Sequence, residues 1–214
     1  DSMKFLLVAL NAKYIHSNPA LHSLYAYAGE KYQDSIELAE YTINNESGTI
    51  LADLYQRQPD VVGFSCYIWN WNIISDIIRE FHKLMPSVPI WLGGPEVSFD
   101  AGNILENKKE VTGIMIGEGE ETFLHLMKYY LKEEGFANLP EISGIVTREN
   151  EYIKRPLLNM DTLPFLYSDL GAFENRIIYY ESSRGCPFRC SYCLSSVDKT
   201  VRVRDFSLVK RELQ

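Results

Sequence analysis

Short apolar runs alternate with amphipathic segments along the first two thirds of the chain. Most of these runs lack polar alternation, which is typical of strands covered on both faces. The segments between them repeat apolar residues at helical spacing, and two of them stop before Pro59 and Pro86, as helices do. Ser47 is predicted to cap the helix after the second strand. The predicted strands are KFLLVALN, SIELAEYTI, DVVGFSCYIW, VPIWLGG and the start of VTGIMIGEGEE. This order predicts an α/β fold with a doubly wound parallel sheet.

The same pattern divides the chain into three parts. We expect the sheet domain over residues 3–137, and a hairpin with an ordered linker over residues 138–173. The hairpin is predicted to turn near Glu149 and Asn150. Residues 174–214 begin with a further predicted strand, RIIYYESSRGC, which leads into a cysteine-rich loop. The chain is therefore expected to hold one complete domain and part of a second.

Composition excludes several classes of function. The formal net charge is -8 over 214 residues, which argues against general affinity for nucleic acid or anionic membranes. No apolar run approaches the roughly 18 residues that span a bilayer. Three of the four cysteines share one loop, which is not typical of a secreted disulfide framework. We therefore expect a cytoplasmic protein whose partners are small molecules.

The cysteine-rich loop, SSRGCPFRCSYC, is the strongest chemical signal in the chain. Its thiols are Cys186, Cys190 and Cys193, and thiolates select iron–sulfur clusters, zinc or copper(I). Structural zinc usually takes four protein ligands, and Cys66 is a fourth ligand only if its strand end faces this loop. Three thiolates on a four-iron cube instead leave one iron open for another ligand.

This spacing, with Tyr192 before the third cysteine, resembles the signature of radical SAM proteins. The resemblance implies a [4Fe-4S] cluster on Cys186, Cys190 and Cys193, S-adenosyl-L-methionine on the open iron, and an electron donor that reduces the cluster. It places the Tyr192 backbone near the adenine. The loop follows the first strand of a TIM-like barrel in that family, so residues 174–214 are expected to be the first unit of a barrel that continues beyond Gln214. The chain alone is expected to be catalytically inactive, and no residue is assigned a catalytic role.

A second set of candidate residues follows the predicted strands of the sheet domain. Open parallel sheets bind ligands at the carboxyl ends of their strands. Glycines there let a bulky ligand approach the backbone, although each glycine pair alone is more often a tight turn. A dinucleotide site is rejected, because the glycine pattern follows the fifth strand and its glutamates would repel a pyrophosphate. The candidates are Ser65, Gly93, Gly94, Gly117, Glu118 and Gly119.

Together these loops resemble the cobalamin-binding, Rossmann-like (flavodoxin-like) domain that precedes the barrel in many radical SAM proteins. The resemblance covers essentially the whole chain and implies that the candidate residues bind cobalamin. Many such domains carry Asp-x-His-x-x-Gly after the first strand, with the histidine on cobalt. Here the loop reads NAKYIHSNP, so we expect His16 to stabilise the loop and cobalt to have no histidine lower ligand. The aromatic residues of these loops fit either a corrin wall or ordinary core: Tyr14, Tyr67, Trp69 and Trp71.

The resemblance implies a cobalamin-dependent radical SAM enzyme. Its expected reaction is methyl transfer to an unactivated carbon, or a rearrangement, by way of a 5'-deoxyadenosyl radical. Two alternatives stay open at this point. One is a non-catalytic module that binds cobalamin or another small molecule, and the other is a structural protein stabilised by zinc.

Overall fold

The computed structural model describes residues 3–194 and 199–214, and over these residues six strands form one sheet flanked by helices. The strand order is β2-β1-β3-β4-β5-β6. Neighbours from β2 to β5 run parallel, and β6 pairs antiparallel with β5. The predicted doubly wound parallel sheet is confirmed. The strands are β1 (Phe5–Asn11), β2 (Ile36–Thr42), β3 (Val61–Ser65), β4 (Ile90–Gly93), β5 (Gly113–Met115) and β6 (Ile145–Thr147).

Helices cover both faces of this sheet, and a two-stranded ribbon follows it. The α-helices are α1 (Pro19–Ala28), α2 (Glu30–Gln33), α3 (Ser47–Arg57), α4 (Trp71–Leu84), α5 (Pro95–Ser98), α6 (Ala101–Asn107), α7 (Glu120–Tyr130) and α8 (Phe206–Glu212). Single 3-10 turns occupy Leu139–Glu141, Met160–Thr162 and Leu170–Phe173. The ribbon pairs β7 (Ser183–Arg184) with β8 (Arg202–Val203) in antiparallel register.

The core lies on both faces of the sheet because its central strands β1 and β3 are mainly apolar and are buried at every position. All seven residues of β1 are buried. On one face Val8 packs in a cluster with Ile78 and Phe81 of α4. On the other face Phe5 packs in a cluster with Phe123 of α7. The absence of a polar face on the inner strands is what places a helical layer on each side.

Two local predictions were wrong, and the predicted hairpin is confirmed only in the position of its turn. Ser47 is the first helical residue of α3, and Glu46 occupies the N-cap position without a side-chain hydrogen bond. The predicted hairpin has one strand, β6, and after a bend the chain returns with one backbone hydrogen bond, from Gly144 N–H to the Ile153 carbonyl (2.8 Å). The predicted strand RIIYYESSRGC contains only the short β7 and an isolated bridge at Ile177.

A side chain takes the place of a neighbouring strand in this last segment. The Tyr167 hydroxyl donates to the Tyr179 carbonyl (2.5 Å) and accepts from the Tyr179 N–H (3.0 Å). Both backbone groups of Tyr179 are therefore paired without a strand ladder. The predicted division of the chain at residues 137 and 173 stays a prediction, although β6 joins residues 145–147 to the sheet.

No helix in residues 3–194 or 199–214 combines the length and the hydropathy of a bilayer-spanning helix.

Candidate functional site

A cavity of about 950 Å³ opens at the carboxyl ends of the parallel strands. Ligand pockets typically measure about 300–1,000 Å³, so this cavity suits a large ligand. Its first wall is built by the strand ends and by the loops that follow β3, β4 and β5. All six residues predicted from the strand ends line this wall: Ser65, Gly93, Gly94, Gly117, Glu118 and Gly119.

The second wall comes from the C-terminal part of the chain. Residues 163–167 and 179–185 face the strand ends across the cavity, together with side chains from β8 and α8. This wall contains the aromatic residues Phe165, Tyr167 and Tyr180. These residues could not be predicted, because an aromatic residue in a segment without helical or strand periodicity carries no signal of what it faces.

A buried asparagine fixes the loop that follows Ser65. The Asn70 side-chain amide donates to the carbonyls of Leu10 and Ser65 (both 3.1 Å), so it joins the ends of β1 and β3. Its own carbonyl oxygen accepts from the Tyr67 N–H (2.8 Å). Asn70 is fully buried, and its bonds hold the end of β3, which belongs to the first wall of the cavity, beside the end of β1.

Gly94 meets a backbone requirement as well as lining the cavity. Its φ is +103°, and a Cβ there would lie 2.4 Å from the Cys66 carbonyl oxygen. Gly93 has no such restriction, since its Cβ would first meet the Met115 side chain at 3.5 Å. The tight-turn interpretation therefore holds for Gly94, and the same turn brings the start of α5 to the cavity.

The glutamates of the fifth loop are paired with arginines of the C-terminal ribbon. Glu118 binds Arg184 through Oε2 (2.9 Å) and Arg202 through Oε1 (2.5 Å). Glu120 Oε1 binds Arg184 Nη2 (2.5 Å) and accepts from the Ser23 hydroxyl (2.9 Å). We call Arg184, Arg202, Glu118 and Glu120 the ribbon cluster. It joins the two walls of the cavity.

The ribbon cluster keeps the carboxylate of Glu120 ionised. Burial alone raises the pKa of Glu120, but the hydrogen bond and charge of Arg184, with the Ser23 hydroxyl, outweigh it and hold that pKa below its usual value. The pKa of Arg184 is raised in turn by Glu120 and Glu181 against the effect of its own burial. The cluster was missed from the sequence because its partners lie more than sixty residues apart.

The cysteine loop starts directly after this cluster. Cys186 and Cys190 are half-buried and Cys193 is exposed, while Tyr192 is 90% exposed. Three thiols have the soft donor chemistry of an iron–sulfur site, so the donor set fits such a cluster. Within residues 3–194 and 199–214, however, no three His, Cys, Asp or Glu side chains are gathered closely enough to hold a metal ion. The ligand assignment therefore stays a prediction.

The surroundings of Cys66 do not suit a metal ligand. Its thiol is fully buried at the end of β3 and lies 3.6 Å from the Phe64 carbonyl, to which it donates. Burial raises the pKa of this thiol well above its usual value, which disfavours the thiolate that binds metals. A four-cysteine zinc site that includes Cys66 is therefore not supported by the fold.

The first loop is held by contacts with the C-terminal segment. His16 hydrogen bonds the Tyr179 hydroxyl through Nδ1, and its backbone forms a parallel bridge with Ile177. His16 is not among the residues that line the cavity. Its contacts are the loop-stabilising contacts expected from the sequence.

Glu40 anchors the same loop from β2. Its Oε1 accepts from the Asn18 N–H (2.7 Å) and the Asn11 side-chain amide (3.1 Å), and its Oε2 lies 3.2 Å from His22 Nε2. Asn18 in turn caps α1 through the Leu21 N–H (3.2 Å). This role of Glu40 could not be predicted, since a glutamate in a strand indicates by itself only a solvated face.

The four loop aromatics have different surroundings. Tyr67 lines the cavity and stacks on Trp69, with ring centroids 4.5 Å apart. Trp71 is the first residue of α4 and packs against the core. Tyr14 is exposed beneath the Arg176 guanidinium. Only Tyr67 of these four lines the cavity within the described part of the chain.

Comparison with protein families matches residues 6–127 to the family described as the B12 binding domain. The match covers more than half of the chain and includes all six predicted loop residues. This chain belongs to the B12 binding domain family.

Its relatives among characterised proteins include radical SAM methyltransferases. This chain is 31% identical over 151 residues to the cobalamin-dependent radical SAM methyltransferase TokK of Streptomyces tokunonensis. The alignment covers 64% of this chain and 22% of TokK. This chain is 24% identical over 177 residues to the anaerobic magnesium-protoporphyrin IX monomethyl ester cyclase of Cereibacter sphaeroides, covering 75% and 28%. The chain thus spans between a fifth and a third of the length of these relatives.

A solved structure shares the fold over the full length. The cobalamin-dependent S-adenosylmethionine radical enzyme OxsB, with aqua-cobalamin and S-adenosylmethionine bound, superposes with a TM-score of 0.79 at 22% identity. The alignment covers 100% of this chain and 31% of OxsB. The B12 binding domain and the segment after it therefore have the fold of the corresponding part of OxsB.

Proposed function

We propose that this chain is the cobalamin-binding portion of a cobalamin-dependent radical SAM enzyme. The reaction proposed for the whole protein is methyl transfer to an unactivated carbon, or rearrangement of the substrate without net methyl transfer. One observation carries the proposal. The B12 binding domain supplies one wall of the large cavity, and the segment that carries the cysteine loop supplies the other.

The residues of the first wall would hold cobalamin, which supplies a transferable methyl group when bound. Gly93 leaves the backbone open to a flat ligand, and Ser65 places a small side chain at the end of β3. The loop of Gly117, Glu118 and Gly119 closes the same wall. On the second wall, Phe165 and Tyr167 would cover the ligand and exclude water.

The cysteine loop would hold the second cofactor pair of the enzyme. Cys186, Cys190 and Cys193 would ligate a [4Fe-4S] cluster with S-adenosyl-L-methionine on its open iron, and the Tyr192 backbone would lie near the adenine. The proposal includes an electron donor and a small-molecule substrate as partners, with neither nucleic acid nor membrane. It also includes a cytoplasmic location, which the cysteine pattern favours.

Titration calorimetry with methylcobalamin tests the cavity. We expect one cobalamin per chain without any metal on the cysteine loop. Gly93→Leu fills the cavity wall and should abolish binding. Gly102→Leu is the matched control, because a Cβ at Gly102 on α6 meets nothing within 4 Å and lies outside the cavity. The absence of binding to the unsubstituted chain would refute the cavity assignment.

Anaerobic reconstitution with iron and sulfide tests the cysteine loop. The loop should take up about four irons per chain with broad absorbance in the visible range. A Cys190→Ala variant should lose the cluster, whereas Cys66→Ala should retain it, because Cys66 is buried in the core. A colourless protein that binds one zinc ion would contradict the cluster and favour the structural alternative.

A further inference from the structure

The two arginines of the ribbon cluster lie side by side and bind the loop that contains Glu118 and lines the cavity. Arg184 of β7 and Arg202 of β8 are register partners, and Glu118 bridges them with its two carboxylate oxygens. Arg184 also binds Glu120 at the start of α7 and Glu181 on its own segment (2.9 Å). The planar guanidinium thus engages three carboxylates at once, which suits arginine and not lysine.

Arg184 lies at the point where the cysteine loop begins. It is followed by Gly185 and then by Cys186. Gly185 has a φ of +92°, and a Cβ there would lie 2.1 Å from the Thr200 carbonyl oxygen. The one residue between Arg184 and Cys186 is therefore packed against Thr200, so the position of Arg184 limits where Cys186 can lie.

We propose that Arg184 is a positioning residue, whose ion pairs with Glu118 and Glu120 hold the start of the cysteine loop against the loop that lines the cavity. The holding contact is a property of the ligand-free chain. Its consequence for ligands rests on the proposed function. Glu118 both lines the cavity and pairs with Arg184, so a ligand that contacts Glu118 would change the arrangement of the cysteine loop. By linkage, that arrangement would change the affinity for the ligand by the same factor.

Alkylation kinetics of the thiols in the ligand-free 214-residue chain test the holding contact. The rate of reaction with iodoacetamide is followed at each cysteine by mass spectrometry. In Arg184→Gln we expect Cys186 to react about tenfold faster, the scale on which loss of charge-assisted hydrogen bonds shifts local opening. Removing a nearby positive charge raises a thiol pKa and by itself slows alkylation. A faster rate therefore reports a released loop.

Two further variants and one internal reference separate positioning from general destabilisation. Buried Cys66 reacts only when the sheet domain opens, so its rate should be the same in Arg184→Gln as in the unsubstituted chain. Arg189→Gln removes the same charge from an exposed position inside the cysteine loop and should not accelerate Cys186. Arg184→Lys keeps the charge without the planar fork, so its Cys186 rate should fall between the two extremes.

An unchanged Cys186 rate in Arg184→Gln would overturn the proposal. An equal rise at Cys186 and Cys66 would also overturn it, since Arg184 would then only support global stability.

Methylcobalamin tests the coupling to the cavity. Its cobalt already carries a methyl group, so a cysteine thiol does not bind the cobalt in that position. Methylcobalamin should slow Cys186 alkylation in the unsubstituted chain and lose this effect in Arg184→Gln. Binding without any effect on Cys186 in the unsubstituted chain would overturn the coupling. If methylcobalamin does not bind at all, the proposed function fails, while the ligand-free rates still decide the role of Arg184.

Discussion

Gly93 and Gly94 are adjacent at the end of β4, but the backbone requires glycine only at the second position. The Gly94 φ of +103° and the approach of Cys66 exclude a side chain there. At Gly93 the open space is available to a ligand. Two glycines that look equivalent in the sequence therefore serve different purposes, one in the turn and one in the cavity wall.

Gly94→Ala should lower the free energy of unfolding by about 1–3 kcal/mol, the usual cost of a strained backbone position. Gly93→Ala is the matched control and should change it by less than about 1 kcal/mol, because its Cβ meets Met115 at an ordinary distance of 3.5 Å. Urea unfolding followed by circular dichroism measures both. Equal losses in the two variants would contradict the turn assignment.

Glu40 makes the first loop sensitive to acid. Burial alone raises its pKa, but hydrogen bonds from His22, Asn11 and Asn18 outweigh burial and hold that pKa below its usual value. A carboxyl whose pKa is lower in the folded chain contributes stability above its unfolded pKa of about 4.3. That contribution is lost as the pH falls through the folded pKa.

Glu40→Gln should therefore cost stability at pH 7 and cost progressively less as the pH falls below about 4.3. The loss at neutral pH should be about 1–3 kcal/mol, as for other hydrogen bonds to charged groups. Urea unfolding at a series of pH values gives the difference curve. The exposed Glu106→Gln on α6 should show no comparable pH-dependent difference. A Glu40→Gln deficit that is constant from pH 7 to pH 3 would contradict this account.

At the scale of elements, Arg148 explains how the antiparallel strand β6 is held. Its guanidinium donates to the carbonyls of Leu105 (2.7 Å), Lys108 (2.8 Å) and Val111 (2.7 Å). These carbonyls lie at and beyond the end of α6, where helical partners run out. One side chain after β6 therefore closes a helix end and fixes the strand at the sheet edge.

Arg148→Lys should lower the free energy of unfolding by about 1–3 kcal/mol, because an ammonium cannot reach all three carbonyls and leaves some without partners. Arg79→Lys on the exposed face of α4 should change it by less than about 1 kcal/mol, as for other surface ion pairs. Thermal and urea unfolding measure both variants. A cost at Arg79 equal to that at Arg148 would show that charge alone decides the effect.

The elements themselves could largely be predicted, because the strands and helices carry their own periodicity. The helical segment between β1 and β2 divides at Gly29, whose φ of +84° ends α1. The pairing of β6 with β5 could not be predicted, since both an isolated hairpin and a sheet edge satisfy the same local pattern. Arg148 settles the choice through carbonyls some forty residues away, and a single sequence gives no sign of that contact.

At the scale of the whole molecule, the candidate site is divided between the sheet domain and the C-terminal part of the chain. The wall at the strand ends could be predicted, because the carboxyl edge of a parallel sheet is a general ligand position. The opposite wall could not. Phe165 and Tyr180 face the cavity only because the C-terminal part of the chain turns back over the sheet. The ion pairs that hold it there, from Arg184 to Glu118 and Glu120, join residues more than sixty positions apart.

Methylcobalamin at a hundredfold excess over its dissociation constant should stabilise the chain by about 2.7 kcal/mol. For a chain of this length, that corresponds to a rise in Tm of about 5–10 °C. Differential scanning calorimetry in the dark measures the shift. Gly93→Leu should abolish it and Gly102→Leu should preserve it. An equal shift in both variants would place the ligand outside the cavity.

The division of the cavity also sets a time order during synthesis. Strands β1 to β6 have all been made once Thr147 is added, but the second wall needs the chain as far as Glu212 of α8. At typical translation rates of about 5–20 residues per second, the stretch between them takes about 3–13 s. For those seconds the nascent chain presents the strand ends as an open cleft. A ligand as large as cobalamin thus has its freest access before the second wall has been made.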